Sequence, residues 1–308
     1  MKKCISLILS FLVVLSFVGC KSETPVETTS PAAVETTAEN TAAASVNTAV
    51  FGGKEMDYVK FGSGEKTFVI IPGLSVHSVM GLADSIAAAY KDFAEDYTVY
   101  LFDRTKQLTY GYTVREMADD TAEAMKSLNI RDAYVFGASQ GGMITLYLAA
   151  DYPELVKKAV VGSSLAANNT TFNNIVNEWI SLAAEKNETG LIESFVDNVY
   201  SQNTLDAYRD TLISSNLGIT DEEYERFIIL AKSCVGFDCT ADLSKITCPV
   251  LVLGAEGDKV TTPDGSRQLA ELLNCDIYMY DDTYGHGVYD EAEDYKSRIL
   301  DFFGADVK

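Results

Sequence analysis

The chain has only two histidines, His77 and His286, among 308 residues, and none of its six cysteines forms a C-x-x-C pair. A structural zinc site needs four clustered nitrogen or sulfur ligands, so no metal is expected, and no cofactor. Basic charge is also scarce: 24 Lys and Arg face 45 Asp and Glu, for a formal net charge of −21. A nucleic-acid partner, held first by cations on phosphates, is therefore excluded as a working class. So is peripheral binding to anionic lipid through a basic face. No internal repeat is present, and the leading apolar run, Cys4 to Val18, is too short and wrongly flanked for a spanning helix.

That run follows Met1-Lys2-Lys3 and ends at Ser16-Phe17-Val18-Gly19-Cys20. It resembles a bacterial lipoprotein signal. The resemblance implies a leader of residues 1–19, cleavage before Cys20, lipid on Cys20, and a body outside the cytoplasm that meets the membrane only through that anchor. Ordinary secretion and an uncleaved anchor are the alternatives. From Lys21 to about Thr48 the chain is Thr, Ala, Glu, Ser and Pro with hardly a large apolar residue, too little to offset the entropy of ordering. Residues 20–48 are expected to be a disordered tether, with the folded body spanning 49–308.

Within the body, 47% apolar content across the chain supports one large core. Short apolar runs at Met56–Phe61, Thr67–Ile71, Thr98–Phe102, Ala133–Phe136 and Lys158–Gly162 read as strands, with helical patterns between the later ones. That alternation predicts a mostly parallel sheet covered by helices on both faces. It breaks from about Ser164 to Leu243, where four successive helical patterns have no strand between them, and an inserted helical cap is expected there. Strands at Pro249–Gly254 and Asp276–Tyr280, a helix at Pro263–Leu273 and a final helix at Tyr289–Phe303 complete the chain.

The stretch Tyr134-Val135-Phe136-Gly137-Ala138-Ser139-Gln140-Gly141-Gly142 carries the chemistry. It has the G-x-S-x-G form of a nucleophile elbow, in which a strand reverses sharply into a helix and lifts a serine hydroxyl out of the sheet edge. Small residues suit so tight a turn, and the helix N-terminus favours developing negative charge. A serine hydroxyl needs a base and a group to orient that base. In the chain order serine, acid, histidine, only His286 can be the base, because His77 precedes the elbow. Asp258 follows a strand and is the candidate acid, with Glu256 and Asp264 as nearby alternatives. Backbone amides of Gln140 and of Leu74, after Pro72-Gly73, are the candidate oxyanion donors. Asp103 reads as structural. Once Cys4 leaves with the leader and Cys20 takes lipid, Cys234, Cys239, Cys248 and Cys275 remain, and a Cys234–Cys239 disulfide stays open.

Pro72-Gly73-Leu74, Asp103-Arg104, Gly137 to Gly142, Gly254 to Asp258 and Gly285-His286 together resemble the α/β-hydrolase superfamily, in its cap-bearing branch. The resemblance implies the α/β-hydrolase fold from about Val50 to the C-terminus, and a serine hydrolase that cleaves a small ester, amide or related acyl substrate. Lyase, perhydrolase and carbon–carbon bond hydrolase chemistry run on the same triad and are the alternatives, as is a surface binding lipoprotein with a vestigial site. The cap, through Phe172, Ile175, Trp179, Ile180, Phe195, Tyr200, Tyr208 and Phe227, is expected to supply a pocket from about a third of these side chains.

Overall fold

A computed structural model of the protein describes residues 44–305. The expected signal segment, Cys20 and nearly all of the expected tether lie outside those residues. Eight strands form one sheet: β1 (Ser45–Phe51), β2 (Lys54–Phe61), β3 (Lys66–Ile71), β4 (Tyr97–Thr105), β5 (Ala133–Ala138), β6 (Val156–Gly162), β7 (Val250–Ala255) and β8 (Asp276–Tyr280). Their spatial order is β1-β2-β4-β3-β5-β6-β7-β8. The pairs β1–β2 and β2–β4 are antiparallel and every other pair is parallel.

Period-two alternation divides the central strands between two cores. Val69, Ile71, Val135, Val161 and Val252 point to one face, while Phe68, Ile70, Phe136, Val160 and Leu253 point to the other. Helices α2 (Val114–Ser127), α3 (Gln140–Asp151) and α8 (Pro263–Leu273) cover the first face. The short α1 (Ala83–Ala89) and α10 (Tyr295–Gly304) cover the second, where Phe68 stacks on Phe93 at 4.8 Å and meets Phe303 edge-on at 5.3 Å. Thr113 caps α2 in a reciprocal box with Glu116, the pattern that satisfies two otherwise orphaned helix amides.

Between β6 and β7 lie four helices with no strand: α4 (Thr170–Ala184), α5 (Glu188–Val199), α6 (Gln202–Ser215) and α7 (Asp221–Cys234). They form the expected cap, and their apolar faces are continuous with the first core. Side chains start three of them without a basic or aromatic residue at the cap position, through Asn169, Asn187 and Ser201, and Thr220 with Glu223 forms a second capping box on α7.

Two expectations fail. The tether was expected to run to about Thr48, but β1 begins at Ser45 and pairs residue by residue with β2 from Ser45↔Lys60 to Phe51↔Lys54. Ala49 and Phe51 bury their side chains and Thr48 Oγ1 donates to Asp57 at 2.5 Å, so a neighbouring strand supplies the order that local composition does not. The final helix is two helices, α9 (Val288–Glu291) and α10, because Ala292 turns to an extended ψ of 122°. The Glu291 side chain explains the interruption: its carboxylate accepts from Ser201 N at 2.7 Å and Gly285 N at 2.7 Å, fixing this segment to the cap.

A chain starting at Ala49 should therefore melt a few degrees lower than one starting at Ala44 by circular dichroism, because it loses four ladder positions.

Candidate active site

Ser139 alone makes the turn between β5 and α3. Its backbone sits at φ 54°, ψ −121°, a sparsely populated region whose strain costs roughly 1–3 kcal/mol. The surroundings hold it there: Ser139 N donates to Gly162 O at 2.9 Å, and the Ser139 carbonyl accepts from Gly142 N at 2.9 Å and Ser164 Oγ at 2.9 Å. The helix enters so close beneath β3 that a Cβ on Gly141 would lie 2.0 Å from the Ile71 carbonyl oxygen. A Cβ on Gly137 would lie 2.2 Å from the Gly141 carbonyl. The flanking glycines are thus required by backbone packing, which is what converts a short sequence pattern into a specific turn.

His286 and Asp258 meet. The Nδ1 of His286 lies 3.0 Å from each carboxylate oxygen of Asp258, and both residues are buried. An ionised carboxylate only accepts, so Nδ1 carries the proton and Nε2 is left as the acceptor of a neutral ring. Asp258 is itself pinned by Val260 N at 2.8 Å, Thr261 N at 3.0 Å and Thr261 Oγ1 at 2.6 Å. Burial works to raise its pKa, but His286 and these donors outweigh it and hold the carboxyl below the ordinary aspartate range. Thr261 was not a sequence candidate; the Asp-x-x-Thr spacing after a strand was its only signal. Of the alternative acids, Glu256 pairs with Arg267 at the surface and the side chain of Asp264 is 98% exposed. No hydrogen bond joins Ser139 Oγ to His286.

The loop after β3 runs against the turn, with the Gly73 Cβ position 3.3 Å from both Ala138 O and Ser139 Cβ. The next amide, of Leu74, makes no backbone hydrogen bond. Gln140 is the first residue of α3, where helix amides have no intrahelical partner. Arg104 braces both: its Nη2 donates to Pro72 O at 2.6 Å and Gln140 Oε1 at 3.1 Å, while Gln140 Nε2 donates to Leu230 O on α7 at 2.8 Å. Sequence alone marked Arg104 only as part of a motif; its burial near the end of β4 is what makes it a brace. Asp103 accepts from Ser78 Oγ at 2.5 Å and from Arg226 of α7, and His77 bonds Glu223 at 2.7 Å and Asn216 O at 2.9 Å. Both residues therefore tie the body to the cap.

The family model for the α/β hydrolase fold matches residues 66–293. The chain belongs to the α/β-hydrolase fold family. It is 28% identical over 179 residues to a protein named as carbamate hydrolase RutD in Serratia proteamaculans, a match spanning 53% of this chain and 62% of that relative. Among solved structures, MGS-M2, an α/β-hydrolase enzyme from a Medee basin deep-sea metagenome library, superposes with a TM-score of 0.76 at 23% identity, covering 85% of this chain and 98% of its own. The enol-lactonase of Burkholderia xenovorans LB400 superposes with a TM-score of 0.73 at 17% identity, covering 84% and 100%. The chain is an enzyme of this family.

In this α/β hydrolase, a cavity of about 320 Å³ lies between the cap and the sheet edge, within the size range of small-ligand sites. Its walls include Gly73, Leu74 and Ala138, which flank Ser139, although Ser139 and His286 are not among them. From the cap, Phe195 and Tyr200 reach the cavity, with Ile192, Val196 and Val199 beside them. The other cap side chains expected as pocket candidates do not line it. Phe172, Trp179 and Phe227 are buried cap core, and the Trp179 ring packs on Phe195 at 4.7 Å. The four described cysteines are free thiols, so the Cys234–Cys239 disulfide does not form, and burial pushes Cys234 up to about 11.

Because the native Asp258 carboxyl sits below its unfolded value of about 3.9, its ionised form stabilises the fold above that pH, and this contribution is lost as pH falls through the native value. Asp258→Asn never has it. The stability gap between wild type and Asp258→Asn, measured by urea denaturation, should be wide at neutral pH and narrow progressively in acid.

Proposed function

We propose that this α/β hydrolase is a serine hydrolase acting on a small ester, amide or related acyl substrate, with Ser139 as nucleophile, His286 as general base and Asp258 as the group that orients it. The observation that carries the reading is the buried His286–Asp258 pair, with its bidentate 3.0 Å contact, in a chain whose elbow serine is held at φ 54°. In the reacting complex the Ser139 hydroxyl donates to Nε2, which closes the relay. The oxygen attacks the acyl carbon as Nε2 takes its proton, and the amides of Leu74 and Gln140 receive the negative charge that develops on the former carbonyl oxygen. The imidazolium, stabilised by Asp258, returns the proton to the leaving group, leaving an acyl-enzyme. Water then repeats the sequence with His286 as base. The relative named as a carbamate hydrolase and the neighbour titled an enol-lactonase both support carbonyl chemistry of this kind.

Ser139→Ala and His286→Ala should each lose turnover on the order of a million-fold with the fold intact, and Asp258→Asn on the order of ten-thousand-fold. Hydrolysis of nitrophenyl esters and labelling by a fluorophosphonate measure these losses. Retained turnover in clean Ser139→Ala protein would sink the mechanism.

For location, the reading is a lipid anchor on Cys20 that holds the body outside the cytoplasm at the bacterial cell membrane, supported by the basic start, the apolar run and the small residues before Cys20. Among the described residues no helix is long and apolar enough to cross a membrane. Cys20→Ser should abolish incorporation of labelled palmitate and release the protein from the membrane fraction; unchanged incorporation refutes the anchor.

A further inference from the structure

Two adjacent acids on α9 behave oppositely. Glu291 spends both carboxylate oxygens on backbone amides, of Ser201 and Gly285. Asp290 lines the cavity, and its carboxyl has no hydrogen-bond or ion-pair partner among the described residues. Lys296, the neighbouring cation, directs its Nζ to the Tyr289 carbonyl at 2.9 Å instead. The same part of the wall carries Tyr90, Tyr200 and Tyr289, each electrostatically coupled to Asp290 and none with a hydrogen-bonded hydroxyl. One carboxyl and three phenols without partners share the cavity with the apolar Ile192, Phe195, Val196 and Val199, while Ser75, His77, Ser78 and Asn216 also line it.

A buried polar group without a partner is costly, and a charged one more so. Burial accordingly pushes the Asp290 carboxyl up to about 7 despite the opposing pull of Lys296. Nothing in the fold is held by that carboxyl, since Glu291 makes the contacts that staple α9 to the cap. The group that would relieve it has to enter with the ligand. In its ionised form the carboxylate can only accept, so a ligand that holds it in that form must donate, and the phenols can take up any remaining acceptor or donor.

We infer that the cavity recognises a substrate carrying a hydrogen-bond donor, a hydroxyl or an amine, which binds Asp290. Asp290 lies on α9, four residues beyond His286, and lines the same cavity as Gly73 and Leu74 beside Ser139, so the donor and the reacting carbonyl belong to one ligand. This inference rests on the serine-hydrolase reading for the carbonyl and extends it to the substrate class. Asp290 is a specificity-determining residue with no part in bond breaking.

The test compares nitrophenyl esters matched in shape: 3-hydroxybutanoyl against 3-methylbutanoyl, and 6-hydroxyhexanoyl and 6-aminohexanoyl against heptanoyl. In the wild type, at least one donor-bearing ester should exceed its methyl isostere in kcat/KM by about ten-fold or more, the size of one buried hydrogen bond to a charged group. Asp290→Ala should bring that ratio to near unity. Asp290→Asn, which keeps the shape and loses the charge, should retain a hydroxyl preference and lose an amine preference, telling the two donors apart. The same esters titrated calorimetrically into Ser139→Ala protein read recognition without turnover. If the wild type fails to label with fluorophosphonate, the hydrolase reading falls while the calorimetric ratio still decides the cavity. A wild type with no donor preference in either measurement, or a preference that survives in Asp290→Ala, overturns the inference.

Discussion

The site depends on one constraint: a central strand must become a helix across a single residue. Ser139 takes the positive φ of that conversion, and it can be kept there because α3 is wedged beneath β3 with no space for side chains at Gly137 and Gly141. The strain is local, but its support is distributed over β3, β6 and the start of α3. The same wedge brings the Gly73 loop to van der Waals distance of the serine, so the turn that exposes the proposed nucleophile also sets where the proposed oxyanion donors lie. Removing the tightness at any of these points would relax the others.

The cap is fastened at this same place. Gln140 reaches Leu230, Asp103 pairs with Arg226, and His77 bonds Glu223 and Asn216, so four contacts run from this edge of the sheet into α7 and the turn before it. Arg226 and Asp103 are both largely withdrawn from solvent, where losing either partner strands a charge. The brace formed by Arg104 adds Pro72 to the same network. Substrate access and the geometry of the elbow are therefore mechanically linked, since α7 cannot lift away from the sheet without releasing Gln140.

Much of this was legible in the sequence where local pattern and tertiary position agree. Strands β3 to β7 announce themselves as apolar runs because both faces of the sheet are covered, and the four cap helices fall where the strand pattern stops. The elbow was readable because glycine is the answer to a steric demand. What was not legible is decided by partners far along the chain. Ser45 to Thr48 look like tether and become strand only through Lys60 to Asp57. Tyr289 to Phe303 carry a continuous helical pattern, yet Glu291 is drawn to Ser201 and the helix breaks. The cap aromatics could be counted but not sorted, since Trp179 in the core packs directly on Phe195, which reaches the cavity.

The antiparallel hairpin at the edge of the sheet has a directional consequence. Since β1 opposes β2 and β2 opposes β4, β1 runs the same way as β3 and β5, and Ser45 lies at the end of the sheet opposite their carboxyl ends. The elbow, the Gly73 loop and the acid turn all lie at those carboxyl ends. An attachment made at Ala44 would therefore begin at the rear of the sheet, at least a strand length, roughly 20 Å, from the edge that carries the elbow.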